Sequence, residues 1–423
     1  MLAAGCAVGL GNVWRFPFVT GGNGGAAFVL IYLFFLAALG FPLLTAELAI
    51  GRGSRRGIAA AMRKLSLGGG AARSRTWGAV GTVIFAGNAL LMFYYTDIGG
   101  WLLDFTMSYA VMGAPPKLSE LAADRAESLA FMLATVAAAS AVCGAGLQKG
   151  VERFTKAMML TLLALMGVLA VRALTLPGAA KGVEFYLKPD WSHLAAHPWK
   201  TVIAAMGQAF FTLSVGVGCM TVFGSYVGRG MSLVGESAWI VLIDTFVAFT
   251  AGLIIFPACA TYGVAVNAGP GLIFEALPKV FAEMSGGRVW GTVFFFFLTL
   301  AAVTTVVAVF ECLIGGLMEA FGWRRGWTAA AVGALVAAGS LPAVMCGGAL
   351  EAEDFVFSQL WLPTGAMLIS VFVSTRAGWG FEKFSAEASA GEGIRLPRAF
   401  GPLLRYFVPL MILILVIGAA VTS

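Results

Sequence analysis

The sequence predicts an all-α membrane protein of eleven transmembrane helices, two of them broken, and three observations carry that prediction. First, 60% of the 423 residues are hydrophobic and only 11% are charged, against about 25% charged in a soluble domain; mean hydropathy is +0.90. Second, the apolar residues fall into runs of roughly 20, the length a helix needs to cross a bilayer. The runs do not alternate polar with apolar, which excludes an outer-membrane barrel. Third, two runs carry a Gly-x-Gly among polar neighbours, at a depth where a plain membrane helix gains nothing from it.

In chain order the runs lie near 1–19, 26–49, 77–103, 128–147, 155–176, 199–223, 235–261, 288–318, 326–346, 355–375 and 401–421. Short loops join them. The net charge of +6 sits mainly in these loops, so it reports orientation in a membrane, and no nucleic-acid partner is expected. Loop 50–76 carries Arg52, Arg55, Arg56, Arg63, Lys64, Arg73 and Arg75. The loops after the fourth and tenth runs are also basic, through Lys149, Arg153 and Lys156 and through Arg376, Lys383, Arg395 and Arg398. The loop before the tenth is acidic, with Glu351, Glu353 and Asp354. The positive-inside rule places loop 50–76 and the N-terminus in the cytoplasm, and eleven spans then put the C-terminus outside.

The first run reads "AVGLGN" from Ala7 to Asn12 and the sixth "QAFFTLSVGVGC" from Gln208 to Cys219. They stand five runs apart, as an inverted repeat of five plus five requires. Residues 1–176 are expected to form the first half, 199–376 the second and 400–423 an extra helix, all within one transmembrane domain spanning 1–423. Glycine-interrupted segments at matching places in two halves point to a substrate site. Unwinding frees carbonyls that a bare cation can bond, while half-helix N-termini present N–H groups to a carboxylate. Close helix packing through small residues is the bland alternative, but packing glycines do not bring Asn, Gln, Thr and Ser with them.

The six cysteines (Cys6, Cys143, Cys219, Cys259, Cys312 and Cys346) fall in or beside apolar runs with no Cys-x-x-Cys pair, and read as small apolar fillers. No cleavable signal peptide is evident. His193 and His197 lack a third metal ligand. Glu311 reads as a helix-packing hydrogen bond, and Asp97 has no evident partner. No nucleophile–base pair, P-loop or metalloprotease motif appears, so an enzyme is not expected.

The stretches "AVGLGNVWRFP…NGGAAF", "FPLLTAELAIGR", "YYTDIGGW", "GQAFFTLSVGVG", "GPGLIFEALP" and "AAVTT", in that order along nearly the whole chain, resemble the neurotransmitter:sodium symporter family, its bacterial amino-acid transporters above all. The resemblance implies sodium-coupled symport through a central site with two sodium ions. The first ion would be held by the Ala7 carbonyl, Asn12, Thr212 and Asp244, completed by the substrate's carboxylate. The second would use the carbonyls of Gly5, Val8 and Ala301 with the hydroxyls of Thr304 and Thr305. All of these are hard oxygen donors. The implied substrate pocket comprises Cys6, Ala7, Gly11, Leu91, Tyr95, Phe211, Thr212, Ser214, Val217, Thr305 and Val309. Tyr95 would bond the carboxylate and, with Phe211, close the lid. Arg15 would pair outside the lid with Asp354 or, second, Glu351, while Tyr226 and Glu47 would brace the cytoplasmic gate and the unwound sixth helix.

Departures from the family pattern sharpen these expectations. Amine-carrying members have an aspartate where this chain has Gly9, so a substrate that brings its own carboxylate, an amino acid, is expected. The apolar and aromatic walls favour a neutral hydrophobic or aromatic side chain, since a buried unpaired charge is costly. Chloride-dependent members have Asn at Asp244 and Ser at Ala248. This chain keeps Tyr32 and Gln208 but supplies a fixed carboxylate, so transport without chloride is expected. Met1 stands a few residues before Gly5, which leaves the inner half of the first helix a stub, from an upstream start, a fragment or a looser inner gate. That stub keeps a second class of function open, a sodium- and amino-acid-binding sensor without transport. The setting expected is a bacterial inner membrane; monomer or homodimer stays open.

Overall fold

The computed structural model describes residues 7–267 and 271–422, with side chains described for all but 147–149 and 419–422. Gly5 and Cys6, assigned above to a sodium site and the pocket, lie outside the described residues.

The elements that matter are helical. The first segment bends at Val8 and Gly9 and resumes as α1, a π-helical turn Gly11–Arg15 continued by Phe16–Gly22. Then come α2 (Ala26–Ser54), α3 (Ile58–Leu65), α4 (Ala71–Val111), α5 (Arg125–Gly144) and α6 (Gly150–Leu174). The sixth segment is split into α7 (Pro198–Thr212) and α8 (Cys219–Tyr226). There follow α9 (Leu233–Thr261), α10 (Gly287–Phe321), α11 (Arg325–Met345), α12 (Ala349–Ser374), α13 (Phe381–Ala388) and α14 (Phe400–Gly418). Nine helices among the described residues are long and apolar enough to cross a membrane; the interrupted first and sixth segments are not among the nine. Every backbone polar group in hydrocarbon needs a partner, and a helix supplies it internally.

Burial orders the helices. The apolar window of α10 is 83% buried, while those of α6 and α14 are each 28% buried and leave most of their surface for lipid. α10 packs along α4, α9 crosses the π turn of α1, and α7 and α8 lie against the two halves of α2. The broken segments are therefore enclosed by other helices, where irregular backbone is tolerable. α4, at 41 residues, rises about 60 Å and overshoots the hydrocarbon core of about 30 Å.

The gap between α7 and α8 has left-handed backbone at Ser214 (φ 51°), Gly216 (φ 107°) and Gly218 (φ 72°). Glycine accepts that region at no steric cost and serine does not. Gly216 also lies backbone to backbone on α12: a Cβ placed on Gly365 would stand 1.8 Å from the Gly216 carbonyl oxygen.

Two readings of the sequence need correction. Loop 50–76 contains the amphipathic helix α3, whose Ile58, Ala61 and Met62 are buried while Arg63 and Lys64 are exposed. The cysteines are not all passive fillers. Cys219 at the start of α8 and Cys312 on α10 form a disulfide with Cα atoms 5.7 Å apart, and Cys346 is exposed.

Candidate functional site

The two breaks meet, and Asn12 is the hub. Its side-chain nitrogen donates to Thr212 Oγ1 (3.1 Å), to the Asp244 carbonyl (3.0 Å) and to Asp244 Oδ1 (2.7 Å). Its Oδ1 accepts from the Gly9 N–H, freed by the bend, at 3.0 Å. Thr212 Oγ1 lies 3.0 Å from Asp244 Oδ2. Other side chains satisfy the remaining loosened backbone. Tyr95 Oη accepts from the Leu10 N–H (3.1 Å), and Gln208 Nε2 donates to the Gly11 carbonyl (2.8 Å). Glu47 Oε1 accepts from the Gly216 N–H at 2.6 Å, and Asn88 Nδ2 donates to the Val217 carbonyl at 2.8 Å. These bonds fix three helices to the two breaks.

The donor chemistry suits a hard monovalent cation. Three oxygens from Thr212 and Asp244 gather around the Asn12 amide nitrogen, itself a small group of partial positive charge. A second oxygen cluster forms on α10. The hydroxyls of Thr304 and Thr305 both turn to the Ala301 carbonyl, at 2.9 and 3.3 Å. Val8, at the bend, is fully buried.

Beside these clusters is a narrow pocket lined by Ala7, Gly9, Gly11, Leu91, Tyr95, Phe211, Thr212, Ser214 and Thr305, with Phe357 and Leu362 of α12. The last two were not legible in the sequence: they come from the tenth segment, which no motif tied to the pocket. Asn88 was missed too, because one Asn in an apolar helix gives no sign of its partner. Val217 and Val309 are fully buried but lie outside this lining. Gly9 has no room for a side chain. A Cβ there would stand 2.0 Å from Thr305 Oγ1 and 3.2 Å from Tyr95 Oη.

Beside the pocket, the Arg15 guanidinium lies 4.1 Å from the centre of the Phe211 ring, and its Nη1 is 4.0 Å from Asp354 Oδ1. Phe357 meets Phe211 edge to face at 6.4 Å. Glu351 is in no ion pair among the described residues. Asp97 is fully buried with neither carboxylate oxygen hydrogen-bonded. Tyr226, the last residue of α8, is half exposed. Glu311, read as a packing hydrogen bond, forms an ion pair with Arg325. Arg52, wholly buried, holds Glu387 at 2.7 Å and the Met231 carbonyl at 2.6 Å. Tyr32 and Gln208 are both buried, and Gln208 is tied to the first break through the Gly11 carbonyl.

A helical membrane protein whose two broken helices cross beside an apolar pocket and clustered oxygens has the build of a secondary transporter. The chain belongs to the sodium:neurotransmitter symporter family, whose model matches residues 1–115 and 117–423. The uncharacterized sodium-dependent transporter YhdH of Bacillus subtilis is 33% identical over 98% of this chain and 94% of its own. The sodium-dependent serotonin transporter of Drosophila melanogaster is 28% identical over 90% of this chain and 69% of its own. Among solved structures, that of MhsT in complex with L-phenylalanine superimposes with a TM-score of 0.87 at 33% identity, covering 99% of this chain and 97% of that one. The protein is thus a multi-pass membrane transporter of a sodium-dependent family, and not an enzyme.

Proposed function

We propose that the protein is a sodium-coupled symporter of a neutral hydrophobic or aromatic amino acid, working by alternating access without chloride. The observation that carries this reading is Gly9 wedged against Thr305, with no space for the acid that an amine substrate would require. The substrate must then bring its own carboxylate, which Tyr95 and the loosened N–H groups of the first segment would receive. The walls from Leu91, Phe211, Phe357 and Leu362 suit an apolar side chain, and such walls discriminate poorly by one methylene. The solved relative's complex with L-phenylalanine supports an aromatic substrate.

In this reading Asn12, Thr212, Asp244 and the Ala7 carbonyl hold one sodium. Gly5, Val8, Ala301, Thr304 and Thr305 hold a second. The fixed charge of Asp244 offsets the first, which removes the need for a bound anion near Tyr32 and Gln208. Phe211 and Tyr95 close over the substrate, and Arg15 with Asp354 latches them. Glu47 braces the hinge while Tyr226 faces the inner exit. The frame proposed is eleven spans: residues 1–176 and 199–376 as oppositely oriented halves and 400–423 as an added helix, in a bacterial inner membrane with the N-terminus cytoplasmic.

The test is uptake of radiolabelled phenylalanine, tryptophan and leucine into proteoliposomes under an inward Na+ gradient, with gluconate replacing chloride. Accumulation that collapses when the Na+ gradient is removed is expected. Sodium-dependent binding with no accumulation would overturn the symporter reading in favour of a sensor.

A further inference from the structure

Far from the substrate site, the ends of α4, α12 and α14 and the start of α13 enclose an open hollow with about 1400 Å³ of empty space. Four cations line it: Arg73, Arg376, Lys383 and Arg405. None of them is in an ion pair among the described residues, and neither is Glu382 on the same wall. Four like charges around one hollow repel each other unless an anion comes between them. Two hydrogen-bonding groups there also lack partners. Ser374 is only 6% exposed, and its hydroxyl meets no acceptor or donor; the Arg73 Nε is buried and equally unpaired. A buried polar atom left unsatisfied in a native protein calls for an explanation.

We propose that this hollow binds the phosphate head group of an anionic phospholipid. The level of the site selects a lipid over a soluble phosphate. Ser374 is the last residue of α12, Arg73 lies in the first turn of α4 and Arg405 lies near the start of α14. The hollow therefore opens at the boundary of the spans, where head groups lie. Trp379 and Phe381 on its wall give the glycerol and upper acyl region an apolar surface of the kind found at interfaces. Arg73 and Ser374 would donate to the phosphate oxygens, and Arg376, Lys383 and Arg405 would supply the surrounding charge.

The test is native mass spectrometry of the purified full chain, titrated with phosphatidylglycerol, phosphatidylcholine or inorganic phosphate. Wild type is expected to retain phosphatidylglycerol over phosphatidylcholine. The double variant R376Q/K383Q, which breaks no internal bond, is expected to bind it roughly 30-fold more weakly, about fivefold per charge. Should that variant not fold, Arg405→Gln is expected to weaken binding about fivefold. Unchanged retention in a folded variant would overturn the proposal. Complete displacement of the lipid by millimolar inorganic phosphate would overturn it as well, in favour of a soluble-anion site.

Discussion

The side-chain nitrogen of Asn12 lies 2.7 Å from Asp244 Oδ1, across 232 residues of sequence. This bond ties the first broken segment to α9 and sets a carboxylate directly against the oxygens of the central cluster. Rotating the Asn12 amide by half a turn would present Oδ1 to that cluster in place of nitrogen, at the loss of its bond from Gly9.

Removing the charge tests that relationship. Asp244→Asn keeps the shape and the hydrogen-bonding capacity but loses the fixed negative charge. Sodium titration of substrate binding should show an apparent affinity at least tenfold weaker, since a hard cation binds a carboxylate far better than an amide. An unchanged sodium curve would remove Asp244 from the ion's surroundings.

Gly9→Ala should abolish most accumulation, because its methyl group would fall 2.0 Å from Thr305 Oγ1. The double change with Thr305→Ala makes room, and should restore folding and substrate binding more than it restores sodium dependence. Scintillation-proximity binding with and without sodium separates the two effects.

Arg15→Lys should slow uptake by tenfold or more while equilibrium binding changes little. A guanidinium plane can lie on the Phe211 ring and reach Asp354 together, whereas an ammonium is a point charge on a flexible stem. Equal transport rates in the two proteins would show that the stacked latch does not govern closing.

Glu387→Ala leaves the wholly buried Arg52 without its carboxylate. Stranding a buried charge costs about 3–5 kcal/mol, so the melting temperature in detergent should fall by several degrees. By the converse argument, Asp97→Asn removes an unpartnered buried acid and should raise it by about 2 °C. A melting curve for each variant, with substrate absent, checks both.

Much of this arrangement was legible before any coordinates. Glycine and polar residues in mid-membrane are costly enough that "AVGLGN" and "TLSVGVG" declared themselves as breaks, whereas Thr212, Thr304 and Thr305 were named only through the family resemblance, a bare Thr pair in an apolar helix being ordinary packing. What stayed hidden depends on neighbours distant in sequence. Phe357 and Leu362 look like any lipid-facing residues until α12 is set against the pocket. Asn88 looks like an isolated polar residue until Val217 loses its helical partner. Cys219 and Cys312 share no local motif. The helix Ile58–Leu65 was masked by the basic residues in and around it, which read as loop until the spacing of Ile58, Ala61 and Met62 against Arg63 and Lys64 is seen as an amphipathic helix.

The seat of Gly216 on α12 makes the unwound stretch a bearing. With carbonyl and glycine in direct contact at Gly365, any turn of this stretch in the proposed transport cycle would run on a rigid surface with no side chains to shear. The stretch is also walled off from the acyl chains, whose lateral pressure falls on the outer helices α6 and α14. The turning step should therefore depend little on bilayer thickness, while any side chain larger than hydrogen at position 365 would seize it.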